Sequence, residues 1–188
     1  MKKNLSILLS ATLLTATSHA QTPTREVGRA NLLQGKYVFF HATPVAAYTV
    51  AFTFIDNPTF TGCANAQDVA GAALKLARDE AAAQNKAFDA IIIQPGERDT
   101  AIRFATESAP ENALERAEQV GGKYTFILAT PAAVYNVKAR MPVVANGWNN
   151  TCYATNEILA ALLRKATKKG AFDALIYNGI SAESIKFN

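Results

Sequence analysis

The chain has 188 residues, of which 49% are hydrophobic and 18% charged, so it contains enough apolar side chains to build a buried core. Its formal charge of +4 comes without a dense basic face or stacking aromatic residues, which excludes the usual surface of a nucleic-acid-binding protein. The basic residues between positions 164 and 169 fall near a predicted helix end, where cations complement the helix dipole.

The first 20 residues predict an export signal. Lys2 and Lys3 give the positive start, residues 5–16 form an apolar run, and Ser18-His19-Ala20 is a small-x-small cleavage site. The apolar run is shorter than the roughly 20 residues that a membrane-spanning helix needs. We therefore expect a mature protein that begins at Gln21, has no membrane span, and is periplasmic or secreted.

The sequence contains an internal repeat. Residues 35–50 return as residues 122–137 at a fixed distance of 87 positions, with 10 of 16 residues identical. The segment Ala87-Phe88-Asp89-Ala90 returns as Ala171-Phe172-Asp173-Ala174. A recurrence of this kind predicts two copies of one structural unit. The predicted divisions are a signal peptide (1–20), a flexible leader (21–33), repeat 1 (34–105), a connecting segment (106–121) and repeat 2 (122–188).

Repeat 1 is predicted to follow the order strand-strand-helix-strand-strand. Thr43-Pro44 separates the first two strands, because proline cannot donate to a strand ladder. Asn65 followed by Asp68 is typical of a helix N-cap, and the apolar stripe of that helix ends near Asn85-Lys86. Aromatic and β-branched residues favour strands at residues 37–42, 48–55, 88–94 and 100–105.

Repeat 2 is predicted to follow the same order with a shorter helix. Thr155 is expected to cap that helix, and Gly170 to end it in the left-handed conformation. The segment before this repeat, residues 112–120, is interpreted as a short helix. The matching residues 29–33 before repeat 1 could form the same element, so this segment is either a linker or part of the repeat. Strands are expected at residues 124–129, 135–144, 172–177 and 181–187.

These patterns predict an α+β fold of two tandem ββαββ-type repeats, each with a helix packed on a short, mainly antiparallel sheet. A pseudo-twofold axis is expected to relate the repeats, which would reproduce a homodimer within one chain. The expected oligomeric state is therefore a monomer with internal pseudo-symmetry.

Each repeat resembles a small bacterial envelope domain. The likeness rests on the aromatic strand that ends at Thr43-Pro44 or Thr130-Pro131, on the Tyr-x-Val strand that follows, and on the helix that leads into Phe-Asp-Ala-(Ile/Leu)-Ile. This layout is similar to that of the heavy-metal-binding domain family, in which an alanine-rich helix leads into a Gly-Ala-(Asp/Asn)-Ala-Val-Val strand. The resemblance implies a fold, and no residue of this chain is assigned as a metal ligand.

Cys63 and Cys152 fall at matching places ahead of the two helices. An even number of cysteines in an exported chain is consistent with a disulfide, and a bridge between symmetry-related residues would lie near the axis. Such a bridge closes a loop of roughly 90 residues, worth about 4.5 kcal/mol on the chain-entropy model. Two separate thiols are the alternative. A metal site is disfavoured, because two cysteines and one histidine fall short of four ligands.

Phe60, Trp148 and Tyr153 stand in polar loops, and they are the candidate binding residues. Exposed aromatic side chains among amides can bind sugars, peptides or a partner surface. The alternative is that these side chains form an apolar flap that closes the end of each repeat.

His41 and the aspartates of the Phe-Asp-Ala motif are the remaining candidates for chemistry. Because Leu128 takes the place of His41 in repeat 2, we expect a packed strand histidine rather than a catalytic base. Asp89 and Asp173 lie where a helix leads into the next strand, where aspartate commonly accepts hydrogen bonds from local backbone amides. That structural role is preferred over a hydrolytic carboxylate pair. No residue is assigned as catalytic.

The sequence thus predicts an exported, non-enzymatic binding or interaction protein. Its partner is expected to be a protein or small molecule of the cell envelope, and no cofactor, metal or nucleic acid is expected. One alternative is a small-ligand or metal-binding envelope protein that uses the loops of Cys63 and Cys152. A second alternative is an enzyme that uses the aspartates or the cysteines.

Overall fold

The computed structural model describes residues 24–54, 65–94, 98–105, 110, 112–143 and 155–188. Within these ranges the chain is mostly β, with twelve strands and two helices. The first half contains β1 (Val27–Leu33), β2 (Lys36–Phe40), β3 (Ala42–Pro44), β4 (Tyr48–Thr53), α1 (Ala66–Gln84), β5 (Ala90–Ile93) and β6 (Thr100–Phe104). The second half contains β7 (Leu114–Val120), β8 (Lys123–Ile127), β9 (Ala129–Pro131), β10 (Tyr135–Pro142), α2 (Thr155–Thr167), β11 (Ala174–Tyr177) and β12 (Ser181–Phe187).

The twelve strands of the described ranges form one mixed sheet. Ten of them follow the order β10-β12-β11-β8-β7-β1-β2-β5-β6-β4. The two short strands lie off this path, where β3 pairs with β7 and β9 pairs with β1. β2 is parallel to β5 and β8 is parallel to β11, because a crossover through a helix returns the chain in its original direction.

The predicted arrangement of two ββαββ repeats, each with its own short sheet, is wrong. Strands of the two halves are joined in the middle of one sheet by antiparallel pairing of β1 with β7 and of β2 with β8. Gly28 lies opposite Glu115 in the first of these pairs, and Phe40 lies opposite Ile127 in the second. The sequence pattern could not show this joint, because it arises from pairing between segments far apart in the chain.

Two strands also precede the segments that repeat most clearly. The short helix predicted at residues 112–120 is wrong, since β7 occupies that segment, and β1 occupies most of the leader predicted at 21–33. In β7 the buried Glu115 stands between the exposed Leu114 and Arg116, in the two-residue period of a strand. A charged residue on the buried side and an apolar one on the exposed side conceal that period in the sequence.

Two-residue turns connect β1 to β2 and β7 to β8. Gln34 and Gly35 have φ angles of 51° and 78°, and Gly121 and Gly122 have φ angles of 59° and 75°. Turns with positive φ at both positions match the twist of paired strands, and glycine adopts this conformation without strain. The recurring glycine of the Gly-Lys-Tyr motif therefore lies inside a hairpin rather than at the start of a unit.

Both helices pack on one face of the sheet. Ala70 and Leu74 of α1 belong to the same apolar cluster as Leu159 and Leu162 of α2. The cluster also contains strand residues of both halves, including Phe40 of the central strand β2. The helix face is therefore one core that the two halves share.

The opposite face carries two separate apolar clusters, one in each half. The first contains Tyr37, Phe39, Ala90, Ile92, Ile102, Phe104 and Ala113. The second contains Ala117, Phe126, Ala129, Ala174, Ile185 and Phe187. Central strands such as β2 are thus buried on both faces, which explains why they read as continuous apolar runs.

The predicted boundaries of the first helix are confirmed. Asn65 Oδ1 accepts hydrogen bonds from the backbone amides of Gln67, at 2.9 Å, and Asp68, at 3.1 Å. Asn85 ends the helix in the left-handed conformation with φ of 50°. The predicted difference in helix length is also confirmed, because α1 has 19 residues and α2 has 13.

We expect Gly28→Ala to destabilise the protein by about 2 kcal/mol, the usual cost of an extra methyl group in a filled core. A Cβ atom on residue 28 would lie 2.8 Å from the ring of Phe126 and 3.3 Å from the carbonyl oxygen of Thr130. The matched control is Gly71→Ala in α1, where no atom lies within 4 Å of the added Cβ. Because alanine is the better helix former, that control should stabilise the protein by about 1 kcal/mol. Urea unfolding of both variants measures the difference, and effects of the same sign would contradict the close contact.

Candidate functional site

The residues that the sequence favoured for binding lie outside the described part of the chain. These residues are Phe60, Trp148 and Tyr153, together with Cys63 and Cys152. Their roles stay predictions, as does the choice between a disulfide and two separate thiols. Among the described residues, those that recur between the halves are the first candidates.

The recurring aspartates are bonded to the backbone of the returning strands. Asp89 Oδ2 accepts a hydrogen bond of 3.0 Å from the amide of Phe104, and Asp173 Oδ2 accepts one of 3.0 Å from the amide of Phe187. The backbone amide of each aspartate donates in turn to the same strand, with a length of 2.8 Å in both halves. The preferred role as a backbone acceptor is confirmed, although the donors are not local and lie 15 and 14 residues further along the chain.

The recurring lysines of the Gly-Lys-Tyr motif are bonded to the residue before each aspartate. Lys123 Nζ donates to the carbonyl oxygen of Phe172 at 2.6 Å, and Lys36 Nζ donates to the carbonyl oxygen of Phe88. The ammonium groups also lie over the rings of the same phenylalanines, 4.7 Å from the Phe88 centroid and 5.1 Å from the Phe172 centroid. Each lysine thus attaches the first residue of its strand, β2 or β8, to the segment that leads into the neighbouring parallel strand, β5 or β11.

His41 is buried at a bend between β2 and β3 rather than within a strand. Its backbone has φ of 51°, and Leu128 has φ of 54° at the matching place in the second half. The histidine ring packs against Phe40 with the ring centroids 5.3 Å apart. Burial lowers the pKa of His41 from 6.5 to about 4, so the ring is neutral at neutral pH.

Glu115 is the one buried side chain of the described residues whose carboxylate oxygens both lack a hydrogen-bond partner. It is fully buried on β7, where it lies opposite Gly28 of β1 and Pro44 of β3. Ala113, two residues earlier, belongs to the first apolar cluster of that face, and Ala117, two residues later, belongs to the second. The carboxyl group therefore stands on β7 between two apolar clusters, and burial raises its pKa from 4.5 to about 8.

Sequence reasoning missed Glu115, although one signal was available. At the repeat distance of 87 positions, Arg29-Ala30 matches Arg116-Ala117, which places Glu115 at the position of Gly28. Extending the repeat one residue upstream of Arg29 would have shown a large acidic residue where the other half has no side chain. The neighbouring Arg116 forms an ion pair of 3.6 Å with Glu26, on the exposed side of β7.

The two outermost strands of the sheet, β4 and β10, differ in charge. β4 pairs with β6, and β10 pairs with β12, and each outer strand is interrupted by a bulge at the same place. The residue at the bulge is Ala51 in β4 and Lys138 in β10. β10 also contains Arg140, which pairs with Glu183 at 2.8 Å, whereas β4 contains no charged residue. We call the strand Tyr48–Thr53, with the side that no other strand of the described ranges pairs with, the β4 edge.

Apolar side chains are exposed along the β4 edge. Tyr48 lies opposite Phe104 and Val50 lies opposite Ile102, so both side chains continue the first apolar cluster to the end of the sheet. Val50 is 59% exposed and Tyr48 is 38% exposed. Because large exposed side chains next to a buried cluster are typical of contact surfaces, the β4 edge is the candidate interaction site.

Neither a metal-ligand cluster nor a helix suited to span a membrane occurs in the described ranges. No group of three or more histidine, cysteine, aspartate or glutamate residues there could hold a metal ion. No helix within those ranges is both long and apolar enough to cross a membrane.

Comparison with known proteins gives no family model that matches the chain, and no curated protein or solved structure that is significantly similar to it.

We expect the two buried titratable groups to oppose each other in the pH dependence of stability. Glu115 keeps its proton up to about pH 8 in the folded chain but loses it near pH 4.5 when unfolded, so its contribution falls as the pH rises between these values. His41 stays neutral down to about pH 4 when folded but gains a proton near pH 6.5 when unfolded, so its contribution falls as the pH drops. Between about pH 4.5 and 6.5 the two opposite changes of unfolding free energy with pH cancel.

Two variants separate these contributions. Glu115→Gln should remove the loss of stability above pH 6.5, which amounts to about 2 kcal/mol between pH 6.5 and 8. His41→Leu places in the first half the residue that Leu128 provides in the second, and it should leave a stability that falls continuously from pH 4.5 to 8. Urea unfolding across this pH range measures both effects. A Glu115→Gln profile parallel to the unsubstituted protein would contradict the raised pKa.

Proposed function

We propose that this chain is an exported, non-enzymatic binding or interaction protein made of two related halves. The observation that carries the proposal is that the recurring lysines of the Gly-Lys-Tyr motif and the recurring aspartates of the Phe-Asp-Ala motif are bonded to the backbone. Lys36 and Lys123 donate to carbonyl oxygens, and Asp89 and Asp173 accept from amides. These four recurring charges therefore support the fold, which leaves the positions where the halves differ as the candidates for function.

The surface of the first half supports an interaction role. At matched positions β4 and β10 share the pattern Tyr-x-Val, but Ala51 of β4 corresponds to Lys138 of β10. The outer strand of the first half, β4, is consequently uncharged and has the exposed Val50. The outer strand of the second half, β10, is charged. An uncharged edge next to an apolar cluster is suited to contact with another molecule.

The export pattern of residues 1–20 supports a location in the cell envelope. The binding partner is accordingly proposed to be a protein or a small molecule of that compartment. The alternative in which ligands or metals bind near Cys63 and Cys152 concerns residues outside the described ranges.

Site-specific photocross-linking in cells that export the full chain tests this proposal. A photoreactive amino acid is placed at Val50 on the β4 edge, and at Ile180 as a second exposed apolar position, which is 69% exposed. The control position is Lys75, whose side chain is 77% exposed on the surface of α1. We expect adducts in the envelope fraction from position 50, because an interaction surface is covered by its partner, and none from position 75.

Two results would count against the proposal. The first is recovery of the chain in the cytoplasm with its first 20 residues intact. The second is the absence of adducts from both apolar positions in the envelope fraction.

A further inference from the structure

We infer that the β4 edge pairs with the β4 edge of a second copy of this chain, so that two sheets join into one across a twofold axis. The inference rests on the proposed function, because it names the partner of the same surface. It replaces the monomer expected from the sequence with a dimer.

The backbone of β4 provides the first argument. β4 stands at the end of the strand order, and within the described ranges its single strand partner is β6. An edge strand presents unpaired amide and carbonyl groups along its free side, and a further strand can satisfy them. The three residues ahead of the bulge, Tyr48–Val50, give a regular pairing length of about 10 Å.

The charges of the strands provide the second argument. Two copies of β4 bring no like charges together, because Tyr48–Thr53 contains no charged residue. Two copies of β10 would set Lys138 close to its counterpart, and like charges opposite one another destabilise a strand pair. Pairing of β4 with β10 would cover Lys138 with an uncharged strand, which costs desolvation without a compensating partner.

The positive charge on β6, the strand next to β4, is far enough from the proposed contact between two copies to be tolerated. Arg103 of β6 lies opposite Thr49 and is exposed. In a β6-β4-β4-β6 arrangement the two copies of Arg103 are three strand spacings apart, roughly 14 Å. This distance exceeds the Debye length of about 8 Å at physiological ionic strength, so their repulsion is largely screened.

The side chains provide the third argument. Tyr48 and Val50 lie beside the buried Phe104 and Ile102, so a second copy that continues the sheet would cover them with the same two residues of its own strand. Aromatic and β-branched side chains are those that pair favourably across neighbouring strands. The contact is thus self-complementary, as a twofold interface requires.

The difference between the two edges also limits the assembly to two copies. A chain with two open edges could add copies at both ends and form a filament. Here Lys138 opposes addition at β10, and β4 is already paired once the first contact has formed. The structure therefore favours a closed dimer.

Light scattering and sedimentation of the purified mature chain over a wide concentration range test the inference. We expect a concentration-dependent dimer for the unsubstituted protein. Val50→Lys should give a monomer, because it brings two like charges together where the β4 strands of the two copies meet. The control Ile180→Lys also adds a lysine at an exposed apolar position, but it lies outside β4 and should leave the dimer unchanged. Ala51→Lys, which copies the residue at the β10 bulge, provides a second disrupting variant.

Thermal unfolding of each variant shows whether the fold is retained, and Ala51→Lys and Val50→Lys are alternatives if one of them fails to fold. A monomer at every concentration, or a dimer that survives both substitutions, would overturn the inference. In the photocross-linking experiment, adducts from position 50 that contain only another protein would also overturn it while leaving the proposed function intact. Absence of any adduct in cells, despite a dimer in purified protein, would instead count against the proposed function.

Discussion

The antiparallel pairing of β1 with β7 is the contact on which the rest of the structure depends. It joins two halves that would otherwise each leave a central strand edge unpaired, and it places β2 beside β8 at the centre of one sheet. The pairing requires close approach at Gly28, because the ring of Phe126 occupies the space that a Cβ atom would take. Opposite Gly28, β7 carries Glu115 into a region that offers its carboxyl group no hydrogen bond. Gly28, where an added side chain would clash, therefore lies opposite Glu115, whose carboxylate oxygens lack hydrogen-bond partners.

Within each half, one set of bonds ties distant segments together. The lysine that begins the central strand is bonded to the phenylalanine before the parallel strand, and the following aspartate is bonded to the last strand. These bonds lock a parallel pair and its antiparallel neighbour in register, and a parallel pair has no hairpin to set that register. The segments that recur most clearly in the sequence are therefore those that fix the register of the sheet.

The two halves differ in their chemistry at three matched positions. Gly28 corresponds to Glu115, His41 to Leu128, and Ala51 to Lys138. The first two differences give buried titratable groups in an apolar setting, whose desolvation couples folding to pH in opposite directions. The third difference leaves one outer strand of the described sheet uncharged and the other charged.

The sequence by itself determined the local structure: the cap at Asn65, the helix end at Asn85 and the strand at 181–187 were predictable, because capping chemistry and apolar periodicity act over a few residues. It did not determine that β7 is a strand, because Glu115 on its buried side and Leu114 on its exposed side reverse the usual polarity. Nor could it place Glu115 in the core or leave β4 at an outer edge. Both depend on which strands meet across the sheet, and long-range pairing is decided by the packing of the whole chain rather than by any local pattern.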